Sequence, residues 1–313
     1  MLSRIADSLF WLNRYMERSD CLLRVIHTNY ILSFDIDQVN KFTWKDVIRE
    51  FAHTKDEAAI EQINSEVDAL KFLITNTDNL NSVKVLFTKA RENARGVQDN
   101  ITKEVWEQVN QLYHLVNQPG LEQKFTGSRS IEIIDKLLEN CVLFYGITDS
   151  TMPRGQGWNF MNLGKLIERC LLTIDIASIH FARINYKLDE PQHILFWRNL
   201  LFSLSGYELY LKNYTRGQHN MNVADHIIFN KNFPRSLTYC FARIKRYLKD
   251  VVEDTKIEGS TNLQKSLGRT CSKIEFTDLV EIEENGLQLF FETLRSDLID
   301  FSKDLTRIYF SYA

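Results

Sequence analysis

The stretch RYMERSD, residues 14–20, places an acid and a base, Glu17 and Arg18, inside a segment that is otherwise strongly apolar. Large apolar residues recur around it at the three- and four-residue spacing of an α-helix. They cover more than half of the helix circumference, which is typical of a central helix rather than a surface helix. The sequence therefore predicts a largely buried first helix with a narrow polar strip, formed by Arg14, Glu17, Cys21 and Arg24.

A second copy of this pattern occurs at GKLIERC, residues 164–170. Aligning Glu17 with Glu168 also places Arg18 on Arg169. The same alignment brings other positions into register, namely Leu12 with Leu163, Arg14 with Lys165, Met16 with Ile167, and Arg24 with Asp175. We therefore predict a single domain built from two pseudo-repeated halves, roughly residues 1–150 and 151–313.

The two Glu-Arg motifs allow two structural interpretations. Each glutamate could pair with a base three residues away on its own helix, which stabilises an exposed helix by a few tenths of a kcal/mol. Alternatively, the two helices pack about a pseudo-two-fold axis, so that Glu17 pairs with Arg169 and Glu168 pairs with Arg18. Buried pairs of that kind cost several kcal/mol of desolvation, so they persist for register or because a ligand completes them.

The distribution of helix breakers predicts an all-α, bundle-like fold. The 313 residues include only 4 prolines and 12 glycines, which favours long helices. Pro119 is expected to end one helix, and Pro234 to lie just inside the start of another. The stretch 254–273 is predicted to be a loop or a frayed helix. Helical apolar stripes are predicted in two further segments: Ile131, Ile134, Leu138, Cys141 and Tyr145 in one, and Leu287, Phe291, Leu294, Leu298, Phe301 and Leu305 in the other.

Charge and cysteine content narrow the class of protein. The formal net charge is −3, which argues against non-specific nucleic-acid binding. No segment approaches the roughly 20 apolar residues that span a bilayer, so no membrane association is expected. Widely spaced cysteines, odd in number, predict buried reduced thiols and a cytoplasmic protein. They are Cys21, Cys141, Cys170, Cys240 and Cys271.

The opening MLSRIADSLFWLNRYMERSDCLLRVI, residues 1–26, resembles the start of the bacterial alpha-E proteins, helical proteins named for this Glu-Arg motif. Similar family blocks follow in order at residues 90–110, 145–169 and 233–244. The final residues, RIYFSYA, are also typical of the family. Five ordered blocks that include both ends of the chain make this resemblance specific.

The resemblance implies an all-α fold and association with an ATP-grasp ligase-like protein and a transglutaminase-like protein. The chain would then be a non-catalytic or accessory component of a peptide-synthesis or peptide-modification system. It would bind a partner, a peptide, a carrier or another anionic ligand in a groove lined by arginines and glutamates. The binding residues carried over from the family pattern are Arg14, Glu17, Arg18, Arg24, Arg91, Arg95, Asp149, Arg154, Glu168, Arg169 and Arg235. Pro153 and Lys165 depart from that pattern.

Two rival interpretations stay open. The chain could be an enzyme in which a desolvated Glu17 or Glu168 acts as general base and arginines hold a carboxylate or phosphate. The arginines could instead be purely structural, with Asp149, Ser150 and Thr151 serving as N-cap residues before a proline-led helix. The sequence contains no phosphate-binding glycine motif, and no cofactor is predicted.

Two weaker patterns favour structural roles. The elements Glu50-His53 and Glu190-His193 have the spacing of di-metal ligands, but Pro191 interrupts the second, and we predict no metal site. Tyr207, Tyr210 and Tyr214 lie near one face of a helix, where packing is the expected role. A stacking platform for a peptide or a base is the alternative.

Overall fold

The computed structural model describes residues 1–34, 42–52, 60–190, 192–214 and 217–310. Within these ranges the chain forms fourteen α-helices and no β-strand, and it is 77% helical. The all-α prediction is therefore confirmed. None of the helices in these ranges combines the length and the apolar character that crossing a bilayer requires.

The chain divides into two compact units. The N-terminal unit is Trp11–Pro153, and the C-terminal unit combines Met1–Phe10 with Arg154–Ala313. The first helix, α1 (Ser3–Ser33), contributes residues to both. The division lies close to the boundary predicted between the two halves, whereas the pseudo-repeat itself stays a prediction.

The N-terminal unit is built on the larger part of α1. Consecutive helices pack as neighbours, α3 with α4, α4 with α5, and α5 with α6. The Tyr30 hydroxyl donates a hydrogen bond of 2.7 Å to the Gly127 carbonyl, which ties α1 to the start of α6. The helices that follow α1 are α2 (Trp44–Phe51), α3 (Glu66–Ile74), α4 (Val83–Gly96), α5 (Lys103–Val116) and α6 (Ser128–Thr151).

The C-terminal unit is organised around α7 (Gln156–Ala182), which is buried along most of its length. Helix α7 packs on α11 and α14, and α12 packs on both of these. All six residues of the predicted stripe on α14 are buried, so that prediction is confirmed. The other helices are α8 (Ile194–Ser203), α9 (Tyr207–Asn213), α10 (His219–Ile228), α11 (Leu237–Thr255), α12 (Ser260–Glu275), α13 (Leu279–Asn285) and α14 (Leu287–Tyr309).

A loop or a frayed helix was predicted at 254–273; the loop alternative is wrong over most of this stretch, because α12 begins at Ser260 and continues to Glu275. Gly259 has a φ of 86°, a left-handed conformation that suits glycine, and it marks the turn into the helix. Helix α12 is polar apart from a narrow stripe that packs on α11 and α14. That stripe is too thin to stand out in the sequence, and it consists of Leu263, Leu267, Cys271 and Ile274.

Two helix starts also differ from the prediction. Pro234 lies before α11, whose N-cap is Ser236, rather than inside the helix. Asp149, Ser150 and Thr151 belong to the last turn of α6 and do not cap α7, whose N-cap is Gly155. The Thr151 hydroxyl donates back to the Ile147 carbonyl within its own helix, so its hydrogen-bonding capacity supports α6 instead of starting α7.

The tyrosine pattern belongs to an aromatic cluster around α9 and α10. Tyr210 is fully buried, and its ring stacks on Tyr214 with centroids 5.0 Å apart. Its hydroxyl lies 2.7 Å from Nδ1 of His219. Packing is therefore the role of Tyr210, as predicted. His226 packs edge-on against the rings of Tyr210 and Tyr214 and stacks on Phe233.

We expect His226 to make the protein less stable in mild acid. Burial lowers the pKa of this imidazole to about 4, while the unfolded histidine takes up a proton near pH 6.5. Between these values the unfolded state binds more protons. The free energy of unfolding should therefore be full above pH 6.5 and fall by about 2 kcal/mol on acidification to pH 5. Urea titrations at several pH values measure how steeply the free energy of unfolding falls with pH. An unchanged pH dependence in His226→Gln would contradict the assignment.

Candidate functional site

The first Glu-Arg motif lies in the N-terminal unit, with Glu17 entirely buried on α1. Tyr145, on α6, contacts Glu17. The Tyr145 hydroxyl donates a hydrogen bond of 2.8 Å to Oε2 of Glu17. A buried carboxylate needs such donors, because burial without them costs several kcal/mol. Glu17 is thus a buried carboxylate with a hydrogen-bond donor.

An acid-base pair one turn further along α1 completes this polar strip. Arg24 donates from Nε and Nη2 to the two carboxylate oxygens of Asp20, at 2.9 and 3.0 Å. Asp20 is buried, so this is a two-point pair in a desolvated setting. Burial lowers the pKa of Arg24, but the carboxylates of Asp20 and then Glu17 outweigh it and raise the pKa above its ordinary value.

The thiol of Cys141, on α6, lies in the field of the same charges. Burial, followed by the negative charge of Asp20, raises its pKa well above the ordinary value. A thiol in this state is protonated and a weak nucleophile. We name these residues the α1–α6 cluster: Glu17, Asp20, Arg24, Tyr145 and Cys141. The cluster therefore contains two carboxylates, one cation and two neutral donors.

Other predicted residues of this unit are held by different helices. Arg18 donates to Oδ1 of Asn81 at 3.1 Å, just before α4. Arg91, on α4, donates from Nε to Oδ1 of Asn110 at 2.6 Å. Its guanidinium also lies 4.5 Å from the ring centroid of Tyr113, so Arg91 fastens α4 to α5.

The remaining predicted residues of the N-terminal unit differ in exposure. Arg14 is buried, and its guanidinium lies 4.7 Å from the centroid of the Trp11 ring. Arg95, in the last turn of α4, is exposed. Asp149 is exposed in the last turn of α6. Glu17 and Arg24 are the residues of the predicted set that the α1–α6 cluster includes by the contacts above.

The second Glu-Arg motif lies on α7 in the C-terminal unit, and Glu168 is 2% exposed. Nη1 of Arg169 donates to the Pro234 carbonyl at 3.4 Å. The Thr173 hydroxyl donates to the Arg235 carbonyl at 3.1 Å, and Arg235 itself is buried. The motif on α7 therefore anchors the segment that leads into α11.

Arg24 and Asp175, which occupy the same position in the two aligned motifs, form different kinds of ion pair. Asp175 aligns with Arg24 but bonds between helices, accepting from Nε of Arg295 on α14 at 2.5 Å. Arg24 bonds within its own helix. Arg154, also in the predicted set, is exposed and places its guanidinium 3.7 Å from the centroid of the Trp158 ring.

A close helix crossing fixes the position of α7 within the C-terminal unit. A β-carbon at Gly164 would lie 2.2 Å from the carbonyl oxygen of Phe10. A β-carbon at Gly157 would lie 3.1 Å from Cδ1 of Leu9, which is another close approach of α1 to α7. The start of α1 thus rests on α7, which explains why residues 1–10 belong to this unit.

Both glutamates are buried, each within its own unit, while the predicted exchange of Glu-Arg pairs between the two copies stays a prediction. Sequence analysis missed Asp20, Asn81 and Tyr145. The Asp20–Arg24 spacing of four residues was a usable signal, because such pairs meet on a helix. No sequence signal pointed to a polar contact of Tyr145, since this residue was assigned to an apolar stripe.

In the second Glu-x-x-His element, both residues have structural contacts. The ring of His193 accepts from the Leu195 backbone N–H as the N-cap of α8, and Glu190 pairs with Lys187. His53, in the other element, lies outside the described residues. Across the described ranges, no three His, Cys, Asp or Glu side chains are grouped to hold a metal ion. All five cysteines are buried thiols, as predicted.

Comparison with known proteins finds several relatives of the chain. It is 21% identical over 310 residues to uncharacterised proteins of Mycobacterium bovis and of two strains of Mycobacterium tuberculosis. The match covers 91% of this chain and 34% of each relative, so the chain spans about a third of their length. No solved structure matches it significantly. The model of the Alpha-E family, a predicted α-helical domain with a conserved ER motif, matches residues 1–310, and the chain therefore belongs to the Alpha-E family.

Proposed function

We propose that the chain is a non-catalytic component of a peptide-synthesis or peptide-modification system. Its partners would be an ATP-grasp ligase-like protein and a transglutaminase-like protein. It would bind a partner, a peptide or a carrier through cationic side chains. The buried Glu-Arg motifs would hold the helices that present those side chains.

The observation that carries this proposal is the complete burial of Glu17 beneath the Tyr145 hydroxyl. A general base must come within hydrogen-bonding distance of the proton that it removes. A carboxylate with no exposed surface, already bonded to a tyrosine, is poorly placed for that task. It is well placed to fix the register of α1 against α6.

The exposed arginines are the better candidates for contact with a partner. Arg95 and Arg154 are exposed, unlike Arg14 and Arg235. A guanidinium offers a planar fork of donors that suits carboxylate and phosphate groups. We therefore assign partner binding to the exposed members of the predicted arginine set and a supporting role to its buried members.

We expect Arg95→Ala to reduce copurification with the ATP-grasp ligase-like protein by roughly fivefold while the melting temperature stays unchanged, because truncating a contact arginine costs about 1 kcal/mol or more. Arg129→Ala is the matched control, since Arg129 is also exposed in this unit but lies outside the predicted set. Quantitative pull-down from the native host measures the effect. Equal losses in both variants would contradict the assignment.

The enzymatic alternative predicts a different outcome. If Glu17 were a general base, Glu17→Gln would abolish turnover while binding of the partner persisted. The supporting role predicts that Glu17→Gln lowers the melting temperature and that any loss of partner binding follows the loss of folded protein. Measuring product formation, partner binding and melting on the same preparation separates the two.

A further inference from the structure

A groove of about 560 Å³ lies between α11 and α12 in the C-terminal unit. These helices form an antiparallel pair, and the groove opens where the first half of α11 faces the last half of α12. Its apolar lining comes from both helices and from the segment before α11, and consists of Phe229, Phe241, Ala242, Cys271 and Ile274. Its volume is within the usual range of small-molecule sites, about 300–1,000 Å³.

The charged residues that line this groove are predominantly cationic. Lys231, Arg243 and Lys245 line it, and Glu275 is its one acidic residue. None of the three cations forms an ion pair with another side chain in the described part of the chain. The Arg243 guanidinium lies 5.0 Å from the centroid of the Tyr239 ring, which holds it at the groove.

The floor of the groove is apolar. Phe241 and Ile274 are buried, and burial raises the pKa of the Cys271 thiol to about 11. That thiol is therefore uncharged at neutral pH, although Lys245 acts on it in the opposite direction. An apolar floor with unpaired cations at its edge matches a ligand that has both an apolar body and a negative charge.

We propose that this groove binds a small amphipathic anion, a carboxylate or phosphate attached to an apolar group. The apolar group lies on Phe241 and Ile274, and the anion is held by Arg243 and Lys245. A small ligand fits better than a protein segment, because the apolar floor is confined to the space between two helices. The groove shares no residue with the predicted arginine and glutamate set, so its failure would leave the proposed function standing.

Isothermal titration calorimetry with three eight-carbon probes tests the charge requirement. Octanoate and octyl phosphate are expected to bind, and their relative affinities identify the preferred anion. The neutral alcohol 1-octanol should bind roughly tenfold more weakly, since a charge-assisted hydrogen bond contributes about 1.5 kcal/mol or more. Equal affinity for octanol and octanoate would overturn the proposal.

Variants on one helix place the binding site. Lys245→Ala should weaken octanoate binding about tenfold, and Ala242→Trp should abolish it by filling the groove at an exposed helix position. Lys249→Ala is the control, because Lys249 lies one turn further along α11, is exposed and pairs with Glu253. Its affinity should match that of the unmodified protein.

The opposite results would overturn the proposal. Unchanged octanoate affinity in Ala242→Trp would place the binding elsewhere on the surface. Equal losses in Lys245→Ala and Lys249→Ala would reveal a diffuse charge effect. If the protein bound an acidic peptide but neither octanoate nor octyl phosphate, the groove would be assigned to a protein partner.

Discussion

Replacing Gly164 with alanine is expected to destabilise the protein by about 3 kcal/mol, the upper end of the usual cost of overpacking. The new β-carbon would lie 2.2 Å from the carbonyl oxygen and 3.0 Å from the carbonyl carbon of Phe10. These are backbone atoms of α1, so no side-chain rotation can relieve the clash. The two helices must separate, which opens the packing next to the second Glu-Arg motif.

Gly268→Ala provides a control of opposite sign. Gly268 lies inside α12 of the same unit, and a β-carbon there would meet no atom within 4 Å. Alanine is favoured over glycine in a helix interior by about 1 kcal/mol, so this variant should be more stable. Thermal and urea unfolding of both proteins measure the difference. A neutral Gly164→Ala would mean that the close crossing of α1 and α7 does not exist.

Removing the charge of Glu17 is expected to cost about 3 kcal/mol, because breaking a buried charge network leaves other charges uncompensated. The carboxylate accepts from Tyr145 and raises the pKa of Arg24. Glu17→Gln keeps the shape and an amide oxygen that can still accept from Tyr145, but it removes the charge that strengthens this hydrogen bond and acts on Arg24. Tyr145→Phe should cost about 1–3 kcal/mol, since it leaves a buried carboxylate with one donor fewer.

A double-mutant cycle isolates this interaction. The combined variant should be less destabilised than the sum of the single variants, by about 1 kcal/mol or more, because the two residues share one hydrogen bond. Glu139→Gln on α6 is the matched control, since Glu139 is exposed, and it should change stability by less than about 0.5 kcal/mol. Additive losses from Glu17→Gln and Tyr145→Phe would show that the charge of Glu17 does not strengthen this hydrogen bond.

Helical periodicity was sufficient to predict the long helices. The six-residue stripe of α14 is buried throughout, because a wide apolar face produces a clear signal. The same logic predicted that α1 would be largely buried but left open whether Glu17 forms an exposed or a buried pair, and the structure buries it. This logic failed for α12, where four buried apolar residues among polar neighbours give little contrast. Contact with α11 and α14 stabilises this helix, and the sequence does not show that contact.

Helix ends were predicted less well than helix faces. Serine and threonine can cap a following helix or bond back to the preceding turn, and the sequence around Thr151 permits both. The structure selects the second, since the hydroxyl of Thr151 donates to Ile147 and also lies 2.8 Å from that of Thr102. A contact with a residue from another helix decides between two locally equivalent choices.

The sequence by itself determined the all-α class, the buried cysteines and the placement of two glutamates on strongly apolar helices, because each depends on the repeat of a single helix. Only the tertiary structure decided the partners. Tyr145 meets Glu17 across 128 residues of chain, Arg169 meets the carbonyl of Pro234, and α11 and α12 leave a cationic groove between them. These contacts depend on how helices distant in the chain pack against one another, which no local pattern specifies.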